Sequence, residues 1–234
     1  MIRVARRLAA VPPQAQHPLV PGRPLRRRDA MRLLAGGLGL LWHGARAERA
    51  AAAPTCHLSP EQTEGPFYVA GAPVRADVTE GRSGVPLGLR LRVHDATRCR
   101  RVVGATVEIW HADAAGEYSG VDGAGTTFLR GQQPTDAGGR VAFTTIYPGW
   151  YPGRTPHVHV KVHVAGNVVH TGQLYFKDAA SNAVYTRAPY AVRGPRDTTN
   201  AGDAIYASGG AASMLALWRA RAGYVGRMIL VVRA

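Results

Sequence analysis

From His157 to Val164 the chain alternates without a break, with His157, His159, Lys161 and His163 at one set of positions and Val158, Val160, Val162 and Val164 at the other. Period-two alternation marks a β-strand with one face in a core. The same pattern recurs along the chain. Leu89, Leu91 and Val93 alternate with Arg90, Arg92 and His94, and Ala105, Val107 and Ile109 alternate with Thr106, Glu108 and Trp110. A third strand is predicted over 139–149, entered by the Gly138-Gly139 turn. Residues 157–176 read as two strands joined at Ala165-Gly166-Asn167, a hairpin signal, and 225–233 as an apolar C-terminal strand. The stretch 177–203 is rich in Ala, Asn, Thr, Pro and Arg and reads as a long loop. A short helix is predicted over 210–222. Many short strands with Gly and Pro turns imply an all-β, antiparallel β-sandwich with long loops and a short C-terminal helix. No internal repeat follows residue 53.

The N-terminal part has a different pattern. Arg26, Arg27 and Arg28 precede a short apolar run from Leu33 to Trp42, and small-residue sites follow at 45–47 and 51–54. This order is that of an export signal of the twin-arginine kind. The run is too short for the roughly 20 residues of a membrane-spanning helix. Residues 1–53 are therefore expected to be a targeting segment, and 54–234 one sandwich domain exported to the periplasm or beyond. Cys56 and Cys99 fit an oxidising compartment, where they are expected to pair. Closing that loop would stabilise the fold by about 4 kcal/mol in the chain-entropy model.

Net charge is +14, of which residues 1–53 supply +8, with ten Arg against Asp29 and Glu48. The arginines are scattered along the sequence. They form no basic stripe with interleaved aromatics, so a nucleic-acid partner is not expected.

The chemistry concentrates around the alternating strand. His157 and His159 lie on one face and can converge on a metal ion; alone, they can equally be a partly exposed pair. His163, on the same face, is expected to face solvent. Tyr151 stands six residues before His157 across a Pro-Gly loop, and Tyr118 sits in a turn after the strand ending near Trp110. A phenol ordinarily titrates at about 10, but a ferric ion would strip its proton. Two phenolates and two imidazoles suit trivalent iron; zinc sites favour Cys, His and carboxylates. The two-His, one-carboxylate pattern of ferrous sites has no clear carboxylate here.

Together the segments 56–69, 104–120, 128–162 and 171–176 resemble the intradiol ring-cleavage dioxygenases over nearly all of the chain after residue 53. The resemblance implies a non-haem Fe(III) held by Tyr118, Tyr151, His157 and His159, with Tyr151 and His159 axial. It implies a small aromatic diol and O2 as substrates. Arg154 matches the arginine beside the substrate ring, and Gln173 matches a glutamine behind the ligands. Arg154 can also be read as a loop salt bridge, and Gln173 as a hydrogen bond within the hairpin. The helical dimerisation region of catechol 1,2-type enzymes has no counterpart, and the loop between Tyr151 and His157 is short. Substrate and oligomeric state are thus left open.

Other residues have plainer readings. Trp110 is expected to pack and His111 to be exposed. Phe67 and Tyr68 line the pocket mouth or cap the sandwich edge, and Trp150 either shapes the site or packs. Two other functions fit the same pattern: a noncatalytic transthyretin-like binding module, and a His-x-His copper or zinc protein.

Overall fold

The computed structural model describes residues 56–234 apart from 122 and 124. The expected export segment lies outside these residues. Among the described residues nine strands form two packed sheets: β1 (Pro86–Asp95), β2 (Arg100–Arg101), β3 (Thr106–Trp110), β4 (Arg130–Pro134), β5 (Arg140–Ile146), β6 (His157–Val164), β7 (Asn167–Tyr175), β8 (Ala216–Arg219) and β9 (Tyr224–Val232). One sheet runs β2-β1-β9-β8 with β5 also paired to β1; the other runs β4-β3-β6-β7. Two short α-helices, α1 (Asp178–Tyr185) and α2 (Ala204–Ala207), lie in the connections. Among the described residues no helix is long and apolar enough to cross a membrane.

The core is built from the alternation. Leu87, Leu89, Leu91 and Val93 of β1 meet Val107 and Ile109 of β3 and Val158, Val160 and Val162 of β6, all at 2% exposure or less. Burying each such side chain contributes about 1.5–3 kcal/mol. The hairpin falls where expected, with β6 and β7 antiparallel and Val164 opposite Asn167. Cys56 and Cys99 form a disulfide, tying the start of the described chain to the turn after β1.

Three expectations are corrected. The helix expected over 210–222 is a short 3-10 turn at Gly210–Ser213 followed by β8. Leu215 is buried and Ala216 exposed there, and β9 offers a free edge, so pairing overrides the helix preference of an Ala- and Leu-rich run. The segment 177–203, expected to be all loop, contains α1, and α2 follows directly after it. α1 has no side-chain cap, so no local signal announces it. The sandwich is not wholly antiparallel: β9 pairs with β1 in parallel, from Leu87 opposite Tyr224 to Asp95 opposite Val232.

Candidate metal centre

Strand alternation puts His157, His159, Lys161 and His163 on the outer face of the β4-β3-β6-β7 sheet, opposite the valines of the core. That face is not open to solvent. His157, His159 and Lys161 are each 5% exposed or less. A strap over residues 62–68 crosses this face, joined by Gln62 N–H to Thr171 O (2.9 Å), Gln173 Nε2 to Thr63 O (3.0 Å) and Arg130 Nη2 to Phe67 O (2.8 Å). Lys161 ion-pairs with Glu64 and sits over the Tyr68 ring at 3.4 Å.

Two loops bring the tyrosines to the histidines. Asp113 organises the first: its Oδ1 accepts the N–H groups of Ala115 and Glu117 at 2.8 and 3.0 Å, and Arg82 holds its Oδ2 at 3.2 Å. In the second loop, Pro152-Gly153 turns the chain so that Tyr151 bridges Arg154. The two loops pack backbone to backbone through glycines. A Cβ on Gly116 would lie 2.4 Å from Trp150 O, and one on Gly149 would lie 2.1 Å from Asp113 O. Only glycine permits that approach.

Tyr118, Tyr151, His157 and His159 therefore converge. His157 Nε2 lies 3.1 Å from His159 Nε2, 3.2 Å from Tyr151 Oη and 3.5 Å from Tyr118 Oη. Donors each about 2.0–2.2 Å from one ion are separated by about 2.9–3.5 Å, so the spacing fits one cation. Thr155 O accepts from His157 Nδ1 at 2.7 Å, which places the proton there and leaves Nε2 with its lone pair. Trp110 stacks flat on His159 at 4.8 Å, and His159 Nδ1 is buried with no partner. Phe67 stacks on Tyr118 at 4.5 Å and meets Tyr151 edge-on.

Burial decides the protonation of these groups before any metal enters. It pulls His157 down to about 3, with Arg154 adding to the effect, and holds His159 well below the usual histidine range. It pushes Tyr118 well above the usual tyrosine range and raises Tyr151, although Arg154 opposes the latter. The metal-free centre is thus four neutral groups whose lone pairs face inward. A hard, highly charged cation reverses the tyrosine bias, because its field outweighs the cost of burying a phenolate. No thiolate is at hand, and the donors are oxygen and imidazole nitrogen; the set fits such an ion.

Arg154 reaches the centre from the side. Its Nη1 is 3.4 Å from Tyr151 Oη, its Nε donates to Asp203 Oδ2 at 2.9 Å, and its Nη2 donates to Gln173 Oε1. Burial works against the charge, but Tyr151 and Asp203 outweigh it and hold the guanidinium above its ordinary value. The salt-bridge reading of Arg154 is seen in its pairing with Asp203, and the same guanidinium also faces the tyrosine. Gln173 likewise is a hairpin residue that bonds the arginine.

Sequence reasoning missed Asp203, which lies in the stretch read as loop. It caps α2 through the N–H groups of Ile205 and Tyr206 while its other oxygen takes Arg154 and Thr155 N–H. A helix cap was detectable there from Asp203 preceding Ala204-Ile205-Tyr206, but its remote partner was not. Two further expectations are corrected. His111 is not exposed but buried, 2.8 Å from Ala112 O and 2.7 Å from Thr145 Oγ1. His163 is not solvent-facing but half-buried, 3.4 Å from Glu108 Oε2. Converging donors identify the centre, not an open cavity: a surface cleft of about 770 Å³ between Thr79 and Pro189 is lined by none of its residues.

A family model described as Dioxygenase matches residues 63–191, a span that holds the four donors, Arg154, Gln173 and all of the strap but Gln62. Chlorocatechol 1,2-dioxygenase of Pseudomonas sp. (strain P51) is 33% identical over 138 residues, 49% of this chain and 54% of that protein. Catechol 1,2-dioxygenase 2 of Acinetobacter lwoffii is 39% identical over 98 residues, 40% of this chain and 35% of that protein. The chain thus spans about half the length, or less, of these curated relatives. An intradiol ring-cleavage dioxygenase from Tetranychus urticae shares the fold with a TM-score of 0.72 at 34% identity, over 76% of this chain and 94% of that one. With the matched span coinciding with the converged donors, the chain belongs to the intradiol ring-cleavage dioxygenase family, a class of oxidoreductases.

Proposed function

We propose that this protein is a non-haem Fe(III) dioxygenase that cleaves an aromatic vicinal diol between its hydroxyl-bearing carbons with O2, giving a muconate-type diacid. The observation that carries this reading is the convergence of two phenols and two imidazoles whose oxygens and nitrogens lie 3.1–3.5 Å apart around His157 Nε2. Tyr118, Tyr151, His157 and His159 would hold the ferric ion, which when bound makes the chelated diol ring reactive toward O2.

The chain's own groups supply the rest. Tyr118 is buried beneath Phe67 and suits a ligand that stays in place. Tyr151 is half-buried on a two-residue turn, so its Oη can swing away and accept a proton from an incoming diol hydroxyl. Arg154, fixed at three points by Asp203, Gln173 and Tyr151, presents a guanidinium to negative charge developing on the ring. Phe67 and the strap exclude water from one side of the centre.

Cations near the centre are already engaged: Arg154 by Asp203, Arg130 by Ser119 O and Phe67 O, and Lys161 by Glu64. That favours a diol without a ring carboxylate. Export rests on the N-terminal pattern and is supported by the Cys56–Cys99 pairing. The deciding experiment is oxygen uptake with catechol, hydroxyquinol and protocatechuate by iron-loaded protein. We expect a red tyrosinate-to-iron absorption band and turnover of the first two in preference to the third. Colourless protein that holds zinc or copper, or no uptake with any diol, would reject the reading.

A further inference from the structure

We infer that the outer face of the other sheet is a docking groove for an acidic polysaccharide. Arginines scattered in sequence are gathered there by the fold. Arg92 of β1 stands directly opposite Arg140 of β5, and Arg90 of β1 opposite Arg227 of β9. The four line one groove of about 850 Å³. Like charges placed directly across a ladder are destabilising. Among the described residues none of the four has a carboxylate within salt-bridge distance. The single acid lining the groove, Asp136, accepts the N–H groups of Gly138 and Arg140 on one oxygen, and its one charge beside Arg140 and Arg92 leaves the four cations in excess. A bound anion would relieve the repulsion that the free protein carries.

The remaining surface narrows the partner. The N-terminal segment carries +8 and a second copy would present the same arginines, so neither is complementary. A bilayer is flat and the groove is recessed. A peptide lying on a sheet face, rather than along an edge strand, would leave its N–H and C=O groups without ladder partners. Single-stranded nucleic acid needs aromatic platforms for successive bases, and Trp218, on this face, already lies under the Arg227 guanidinium at 4.5 Å. Ring carboxylates of an acidic sugar polymer match the arginine forks. Its apolar ring faces match half-exposed Ile229, which lines the groove.

The test titrates full-length protein with polygalacturonate, with dextran as neutral control and with single-stranded DNA and anionic phospholipid vesicles as competing polyanions. We expect salt-sensitive binding of polygalacturonate and none of dextran. Arg92→Gln/Arg140→Gln and Arg90→Gln/Arg227→Gln should each weaken binding roughly tenfold. Both variants should melt at or above the temperature of the parent, which excludes unfolding as the cause. A control pair outside the groove, Arg187→Gln/Arg221→Gln, removes the same charge and should change binding less than twofold. Equal losses in control and groove variants would overturn the proposal, as would tighter binding of DNA or vesicles at matched charge and salt.

Discussion

The outer faces of the two sheets begin from the same pattern and end in opposite states. On β6 the polar set is His157, His159 and Lys161; on β1 it is Arg90, Arg92 and His94. The β6 set is buried beneath the strap and the two tyrosine loops, with Lys161 paired to Glu64 and both histidine Nε2 atoms in the donor cluster. The β1 set is left open, like charge beside like charge. Alternation states which residues share a face; what crosses that face determines whether they become a buried reactive centre or a charged surface. Burial on β6 strips protons from histidines and returns them to tyrosines, so the covered face is poised for a cation. On β1 nothing crosses the arginines, so the open face is poised for anions.

The most severe way to break this contrast is to remove donors from the covered face. His157→Ala and His159→Ala should each lose most bound iron, the visible absorption band and at least about a hundredfold in activity. His163→Ala, on the same strand but paired to Glu108, should keep them. Iron analysis of the three variants decides this, and equal loss in all three would mean that the strand rather than the site had failed.

Support around the centre should give the next largest effect. Asp203→Asn removes the charge that fixes Arg154, and kcat for a diol should fall by about 10- to 100-fold with iron content unchanged. Steady-state kinetics beside iron analysis test it; an unchanged kcat would show that Gln173 alone positions the guanidinium.

Acid should affect the buried interior more than the open face. Burial pulls His111 down to about 4 in the folded protein. Below pH about 6.5 the unfolded chain takes up a proton that the folded one refuses, so stability is lost as pH falls from about 6.5 toward 4. The full loss is about 3 kcal/mol. His111→Gln should flatten that part of the profile in denaturant melts. A slope identical to the parent's would assign acid sensitivity elsewhere.

Ion pairs sharpen the comparison on the smallest scale. Lys161 is buried and faces Glu108 across the ladder, whereas its partner Glu64 is half exposed. Lys161→Met should destabilise by about 1–3 kcal/mol, since it removes the cation facing buried Glu108 across the ladder and leaves that carboxylate with His163 and Tyr68 Oη. Glu64→Gln should cost under about 1 kcal/mol. Arg92→Gln, on the open face, should change stability by no more than about 0.5 kcal/mol, in the stabilising direction. Thermal melts of the three variants would contradict the covered-versus-open distinction if the costs were equal.

Local patterns carried the parts of this protein that depend on neighbours in sequence. The valine and histidine sets of β6, the turn at 165–167 and the Gly138-Gly139 entry to β5 were legible, each from a short-range rule of alternation or turn chemistry. The roles expected of Tyr118, Tyr151, Arg154 and Gln173 came instead from the family resemblance. Residues 210–222 carried an equally visible Ala-Leu pattern and misled, because the β9 edge was a better partner than the helix itself. Nor could local pattern foresee the parallel pairing of β1 with β9, the burial of His111 against Thr145, the clasp of Asp203 on Arg154, or the meeting of Arg92 with Arg140. These contacts join residues 34 to more than 130 positions apart. The sequence by itself determined which side chains share a strand face and which chemistry they can perform. Only the tertiary structure decided which face was covered, because burial, and with it protonation and charge, is set by segments distant in the chain.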